Sequence, residues 1–487
     1  MGNLGQIYDR RGWSFLDQLE TYDGVAKVDG LFGAKLLFVF DPLALHHIIT
    51  KEQISFDPPG WFTESMKLSF GPGLLSTYGD HHRKQRKMLN PVFSIAHMRD
   101  MTPIFYEVAL KLRDAISTRV ERGSKEINIL DWMGRTALEL IGQGGLGHSF
   151  DPLTEDAASP HGEAIKAFIP AMFTTFGPLR FLIPYVAFIQ HISFRRVLLD
   201  HLPWRGFQNV LKLVDKLNHM SVSVYESKRD ALARGDTAVK EQIGRGKDIM
   251  SILLNANTLA SDEDRLSEED LLGQMLQILE LLAEHQDVQD KLREEIRAAK
   301  QGDLIGYDDL HGLLYMDAIC RETLRLHPPV NWVFRQANQT SSLPLSQPIR
   351  SNDGSMMKEI VIPKGTITIV GIRACNRNKA LWGEDALEWK PERWLSPLPD
   401  AVINARIPGV YSNLMTFFGG ARSCIGFKFS QLEMKIVLAV LLDRFKFHLP
   451  EDERKVFWNL AAIKYPTVGE DSLTPAFPMI VEQLAKA

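Results

Sequence analysis

The order of apolar and polar positions along the chain predicts a mainly α protein with a small β region. Short β-prone runs at residues 25–28 and 36–40 flank a glycine-containing turn, which predicts a hairpin. Alternating positions across residues 345–371, interrupted by two turn signals, predict a second β-rich part.

Helical spacing of apolar residues accounts for most of the remaining chain. Asp41 and Pro42 fit the N-cap and first turn of one helix, and Pro103 stands just ahead of another. We expect the helix at residues 427–443 to be amphipathic. The longer predicted helices cover residues 104–122, 127–142, 207–233, 285–300, 315–327 and 427–443.

Two segments bear on contact with membranes. Residues 1–20 are polar and charged, so they predict neither a signal peptide nor a membrane anchor. Residues 164–189 are markedly apolar, but Pro170, Pro178 and Pro184 interrupt them too often for a helix that spans a bilayer. A buried helix pair is one interpretation of this segment.

Composition then limits the function classes. The 487 residues are 45% hydrophobic and 24% charged, as in a soluble globular protein. A net charge of −4 argues against bulk nucleic-acid binding. Three cysteines cannot make a disulfide framework, so a reducing compartment is expected. No linker divides the chain, which predicts a single domain over residues 1–487.

The main candidate for chemistry is the run Phe-Phe-Gly-Gly-Ala-Arg-Ser-Cys-Ile-Gly at residues 417–426. Cys424 offers a thiolate, which is a soft metal ligand and a known axial ligand of haem iron. Gly420 and Gly426 allow tight turns and close approach of the backbone to a flat ligand. Arg422 can make a charge-assisted contact with a carboxylate. A lone cysteine in such a turn could instead be buried and inert.

Three weaker patterns accompany this loop. Residues 79–87 form the densest basic run of the chain, which by itself predicts only a solvated helix face. Glu322 and Arg325 are three residues apart, so they share a helix face and can pair. Arg393 stands in the run Pro-Glu-Arg-Trp at residues 391–394.

The loop resembles the F-x-x-G-x-R-x-C-x-G haem signature of the cytochromes P450, and the order and spacing of the other motifs agree over nearly the whole chain. The details are similar to fungal microsomal members. The resemblance implies the mainly α cytochrome P450 fold and a haem b cofactor whose iron is ligated by Cys424. Phe417, Gly420 and Gly426 would then shape the cofactor-binding loop.

The same resemblance assigns roles to the charged residues. Arg86, Arg335 and Arg422 would bind haem propionates, together with His82, which stands where the family has tryptophan. Arg83, Lys84 and Lys87 would face outward and suit an acidic electron donor. The residues that would form a structural latch behind the haem loop are Glu322, Arg325 and Arg393.

The implied reaction is insertion of one oxygen atom from O₂ into a lipophilic small molecule, and fungal relatives often oxidise terpenoids. Electrons would come from an NADPH-dependent flavoprotein reductase, at the cytosolic face of the endoplasmic reticulum membrane. Residues 164–189 stand where the family has its substrate-access lid, which implies peripheral membrane contact. The anchor helix and proline-rich hinge usual in fungal relatives are absent from the start of the chain.

The sequence departs from the family at the centre of its oxygen-activating helix. A helix with Ser267 as N-cap would end at His285, roughly 28 Å away at 1.5 Å per residue. Met275 runs straight into Leu276, and about five turns of helix, roughly 18 residues, have no counterpart. The missing part includes the family's acid–alcohol segment. No threonine occurs between residues 258 and 323. No catalytic residue is therefore identified.

This gap predicts a skipped exon, a gene-model error or a genuinely altered enzyme. The main hypothesis is a monooxygenase. One alternative is a haem-binding protein with impaired or absent monooxygenase activity. Another is a relative that rearranges peroxides or dehydrates its substrate without external electrons.

Overall fold

The computed structural model describes most of the chain. The described residues are 2–485 except 72, 155–161, 163, 165–166, 169–170, 172–191, 235–247, 251–268, 301, 303, 352, 452–453 and 462. The predicted access lid at residues 164–189 therefore lies almost wholly outside the described residues, as does Ser267. No helix of the described part is both long and apolar enough to cross a membrane.

Helices make up most of the described chain, which confirms the predicted mainly α class. In chain order they are α1 (Leu4–Ile7), α2 (Trp13–Leu19), α3 (Pro42–His46), α4 (Gly60–Phe70), α5 (Gly79–Leu89), α6 (Ile95–Glu121), α7 (Ile129–Leu140), α8 (Ile192–Asp200), α9 (Arg205–Arg234), α10 (Glu269–Glu284), α11 (Gln286–Ala299), α12 (Tyr307–Gly312), α13 (Leu314–Leu326), α14 (Ile372–Asn376), α15 (Lys379–Trp382), α16 (Asp400–Asn404) and α17 (Phe427–Arg444).

The strands are short and grouped in small sheets. They are β1 (Val25–Asp29), β2 (Lys35–Val39), β3 (Phe56–Asp57), β4 (Glu126–Asn128), β5 (Trp332–Ala337), β6 (Ser341–Arg350), β7 (Met356–Ile362), β8 (Ile367–Gly371), β9 (Gly409–Tyr411), β10 (Leu414–Gly419), β11 (Phe445–His448), β12 (Val456–Asn459), β13 (Tyr465–Val468) and β14 (Pro478–Gln483).

The largest sheet has the order β1-β2-β8-β5-β3. Strands β1 and β2 form the predicted antiparallel hairpin, with Val25 opposite Val39. Strand β8 joins β2 in parallel and β5 in antiparallel fashion, so the end of the second predicted β-rich part belongs to the sheet of the hairpin. The rest of that part forms a separate antiparallel pair, β6 with β7. At the end of β2, the Asp41 carboxylate accepts a hydrogen bond from the Ala44 amide, which confirms the predicted N-cap of α3.

The predicted start of the first long helix is wrong. Helix α6 begins at Ile95, capped by Ser94, and Pro103 lies inside it. A proline within a helix costs roughly 3 kcal/mol because it removes a backbone donor. The buried side chains of Met101 and Phe105 on either side show that packing outweighs this penalty.

Helix α17 is not amphipathic as predicted, because it is buried on all sides. Almost every residue from Phe429 to Leu442 is inaccessible to solvent. Helices α6, α10, α11 and α13 surround α17, and Phe105 of α6 packs edge-on against Phe429 with ring centroids 4.8 Å apart. The helix that follows the Cys424 loop is thus the centre of the main core.

Candidate cofactor site

The Cys424 loop is held between a buried strand and the central helix. Strand β10 is buried along its whole length and leads into a 3₁₀ turn at Gly420–Arg422. The Cys424 amide folds back to donate to the Phe417 carbonyl at 2.8 Å. Gly426 then serves as the N-cap residue of α17. Cys424 therefore lies two residues ahead of this N-cap, close to the N-terminus of α17.

Gly420 is required by the shape of this loop. Its φ of +61° is in the left-handed region, and a Cβ there would come within 2.2 Å of the Ile49 carbonyl oxygen. No side chain could be accommodated without moving the backbone. The motif glycine therefore sets the path of the chain toward Cys424.

The three cysteines differ in environment. Cys320 and Cys375 are completely buried, and burial raises the pKa of each thiol to about 12. Cys424 is half-buried and is not part of a disulfide. Because the thiolate is the form that binds metals, Cys424 is the best placed of the three to do so.

Arg86 connects helix α5 to the Cys424 loop. Its guanidinium donates to the Ser423 carbonyl and, at 3.0 Å, to the Ser423 hydroxyl. Burial lowers the pKa of Arg86, while the nearby Cys424 sulfur raises it. A fixed positive charge therefore stands beside the candidate metal ligand.

Two further guanidiniums and one imidazole lie in the same region. Arg422 donates to the Thr77 carbonyl at 2.6 Å, and burial lowers its pKa to about 10. Arg335, on β5, lies over the Phe418 ring at 4.5 Å; burial and then Arg422 lower its pKa to about 9. Burial, and then Arg422 and Arg86, lower the pKa of His82 to about 4.

This cluster of Arg86, Arg335 and Arg422 carries an excess of positive charge, with Arg335 buried and the other two half-buried. Among the described residues, no carboxylate lies within ion-pair distance of the three guanidiniums. Asp57 attracts Arg335 and Arg422 only from farther away. Buried like charges are unfavourable unless an anion neutralises them. A dicarboxylate ligand such as haem, with its two propionates, fits this donor set.

The predicted latch residues lie together behind the loop. Glu322 and Arg325 are fully buried and form a two-pronged ion pair at 2.8 and 2.9 Å. Arg393 approaches the same carboxylate at 3.4 Å. The Trp394 indole donates to it at 2.9 Å and the Lys390 amide at 3.1 Å. Five donors from two segments therefore surround one buried carboxylate.

Sequence reasoning missed Trp394, Ser423 and Asn376, which all make contacts in this region. Trp394 directly follows Arg393, and Ser423 lies between Arg422 and Cys424. Their position next to motif residues was therefore a signal that could have identified them. Asn376 hydrogen-bonds to strand β10 although it lies about 40 residues earlier in the chain. No local sequence pattern predicts this contact.

The other side of the site is only partly described. Helix α10 begins at Glu269, and the segment at residues 251–268 before it lies outside the described residues. On α10, Glu280 is half-buried and accepts hydrogen bonds from Trp458 at 2.8 Å and from Gln277 at 2.5 Å. Burial raises the pKa of Glu280 to about 7.

The outer face of α5 is basic and exposed. Lys84 and Lys87 are exposed, and Arg83 pairs with Asp80 at 3.3 Å, also in solvent. His82 and Gln85 face inward on the same helix. The basic run therefore divides into an inner face toward the Cys424 loop and an outer cationic face.

Comparisons with known proteins match almost the entire chain. The family model described as Cytochrome P450 matches residues 1–463. The chain is 54% identical to Cytochrome P450 monooxygenase 91 of Postia placenta, with 99% of this chain and 92% of the relative aligned. It is 45% identical to Ganoderic acid synthetase CYP5150L8 of Ganoderma lucidum, with 100% and 92% aligned.

Replacing Glu322 with glutamine tests the latch. Glu322→Gln leaves the buried Arg325 guanidinium without a counter-charge, which is expected to destabilise the fold by about 3–5 kcal/mol. The measurement is the urea midpoint of the haem-free chain. Glu384→Gln is the matched control, because Glu384 pairs with Lys379 in solvent at 3.5 Å and its loss should leave the midpoint unchanged. Equal midpoints for the two variants would contradict this role.

The lowered pKa of His82 predicts a pH dependence of stability. Folding keeps His82 neutral, whereas the unfolded chain takes up a proton below pH 6.5. Stability should therefore fall as the pH drops from 6.5 toward 4, by on the order of 1–2 kcal/mol after solvent screening. His82→Gln should make the profile of the haem-free chain less steep over this range, with His47, His311 and His327 accounting for the rest of the slope. His201→Gln, at an exposed site, should leave the slope unchanged. Parallel profiles for wild type and His82→Gln would refute the assignment.

Proposed function

This chain belongs to the cytochrome P450 family of haem-thiolate monooxygenases, whose haem iron has a cysteine ligand, and we propose that Cys424 is that ligand. The observation that carries this proposal is the position of Cys424 beside the cluster of half-buried and buried guanidiniums, with Arg86 nearest to its sulfur. No other described cysteine lies in a comparable place, because Cys320 and Cys375 are buried with raised pKa values.

The cationic cluster would hold the propionates of the haem. Burial and a neighbouring positive charge, Arg422 for Arg335 and Arg86 for Arg422, disfavour the charged forms of these two guanidiniums, so a bound anion would stabilise them. Arg86 can contribute while still contacting Ser423, and neutral His82 can donate one hydrogen bond. When bound, the haem supplies oxygen activation, which a thiolate ligand favours.

The substrate is proposed to be a lipophilic small molecule of the terpenoid class. The similarity to a relative named as a ganoderic acid synthetase supports a fungal natural product. The reaction would place one atom of O₂ in the substrate and reduce the other to water, with two electrons from NADPH.

The electron donor is proposed to be a flavoprotein reductase that docks on the outer face of α5. Arg83, Lys84 and Lys87 are exposed there on the helix whose inner face carries Arg86, so the docking site would lie one helix away from the Cys424 loop. Such a reductase would place the enzyme at the endoplasmic reticulum membrane. The main core runs from Leu4 to Val481, which supports one catalytic domain.

A second candidate function follows from the internal gap predicted after Met275. The alignment with the Postia placenta relative extends over 502 positions, more than the 487 residues of this chain. The relative therefore contains internal residues that this chain lacks, which supports a deletion. Without the acid–alcohol segment, the protein would bind haem yet deliver protons poorly, or act without external electrons.

Spectroscopy of a cysteine variant tests the proposed ligand. The haem-loaded chain should show a thiolate-type Soret band when reduced and bound to CO, and Cys424→Ser should abolish that band. Cys320→Ala is the matched control, because Cys320 is buried within α13, and it should keep the band. A thiolate-type band that survives in Cys424→Ser would rule out Cys424 as the ligand.

Electron accounting separates the two candidate functions. With a fungal reductase and O₂, a productive monooxygenase consumes one NADPH per oxygenated product. If the gap impairs proton delivery, we expect NADPH consumption to appear mostly as hydrogen peroxide instead. Inserting the family's acid–alcohol segment between Met275 and Leu276 should lower the peroxide share. If the chain without any insertion forms nearly one product for each NADPH consumed, impaired proton delivery is excluded.

A further inference from the structure

Strand β10 brings the chain to the Cys424 loop with little support from its own sheet. Its only strand neighbour in the described chain is β9, and regular pairing holds at Leu414 and Gly419 with a register shift between them. All six residues of β10 are nevertheless buried. Buried backbone groups need hydrogen-bond partners, so those of Met415 and its neighbours must be satisfied from elsewhere.

The side chain of Asn376 takes the place of a neighbouring strand. Its amide oxygen accepts from the Met415 backbone N–H at 2.7 Å. Its amide nitrogen donates to the Thr416 hydroxyl at 2.9 Å. Asn376 is fully buried at the end of helix α14. One side chain therefore satisfies two consecutive residues of β10.

The contacts of Asn376 continue into the latch. The Thr416 hydroxyl donates onward to the Leu324 carbonyl of helix α13 at 2.8 Å. The backbone carbonyl of Asn376 accepts from the Arg325 guanidinium at 3.2 Å. Helix α13, which carries Glu322 and Arg325, is thus joined to β10 both directly and through Asn376.

The same strand positions the backbone of the candidate iron ligand. Phe417, the residue after Thr416, accepts the hydrogen bond from the Cys424 amide. Phe418, the next residue, has a strained φ of +56° and lies against Arg335. A shift of β10 at Thr416 would therefore move the group that holds Cys424.

We propose that Asn376 is a positioning residue that couples the Glu322–Arg325–Arg393 latch to the Cys424 loop. The proposal rests on the proposed role of Cys424 as iron ligand. Asparagine suits the position because one planar group offers both an acceptor for Met415 and a donor for Thr416. An aspartate side chain here would lose the donor and bury a charge, and alanine would lose both partners.

The test compares three variants of the full-length chain. Asn376→Ala removes both hydrogen bonds, and Thr416→Val removes the hydroxyl that links Asn376 to α13. Asn404→Ala is the matched control, because Asn404 is an exposed residue at the end of α16. The first readout is amide hydrogen exchange at Met415 and Cys424, with residues 436–441 of the buried helix α17 as internal reference.

We expect Asn376→Ala to speed exchange at both Met415 and Cys424 by about tenfold or more, with the reference residues unchanged. Thr416→Val should have a smaller effect in the same direction. The second readout, on the haem-loaded chain, is the share of reduced, CO-bound protein with a thiolate-type Soret band. That share should fall in both variants at equal haem content, and Asn404→Ala should match wild type in every readout.

The outcomes separate this proposal from the proposed function. Faster exchange at Met415 with unchanged exchange at Cys424 and an unchanged band would overturn the coupling. A wild-type chain without a thiolate-type band would refute Cys424 as ligand, and the exchange data would then decide the role of Asn376 alone. Should Asn376→Ala fail to fold, Thr416→Val decides, since it removes a single hydroxyl.

Discussion

The buried carboxylate of Glu322 is the group on which the side of the molecule behind the Cys424 loop depends. It is fully buried, so its charge is tolerated only because Arg325, Arg393, Trp394 and the Lys390 amide all donate to it. These donors come from helix α13 and from the segment that contains Pro391–Trp394. The carboxylate therefore holds together two parts of the chain that share no sheet or helix.

The positive cluster on the other side of the loop has the opposite character. Each guanidinium of the latch has a carboxylate partner, Glu322 for Arg325 and Asp385 for Arg393 at 3.0 Å. By contrast, Arg86, Arg335 and Arg422 lie buried or half-buried without an adjacent carboxylate in the described chain. Such an arrangement lowers stability in the absence of a ligand and becomes favourable when an anion binds. The fold thus combines a latch whose charges are paired within the protein with a cationic site that suits a bound anion.

Sequence patterns predicted local features well and long-range ones poorly. The β1–β2 hairpin and the Asp41 cap were predictable because their hydrogen bonds join residues close in the chain. The start of α6 was mispredicted because Pro103 signals a boundary that buried packing overrides. The access lid stays a prediction, since nearly all of its residues lie outside the described ones. The internal deletion also stays a prediction, because helix α10 runs continuously through Met275 and Leu276 and carries no mark of missing residues between them.

The sequence by itself determined the membership of a family, and it predicted the candidate site residues, namely the Cys424 motif and the i,i+3 pair of Glu322 and Arg325. Motif spacing and helix periodicity involve residues close in the chain, so they can be recognised from the sequence alone. Only the tertiary structure decided that Arg86 reaches Ser423, 337 residues away, and that Asn376 supports β10. Such contacts depend on how helices and strands pack against one another, and no local pattern specifies that packing.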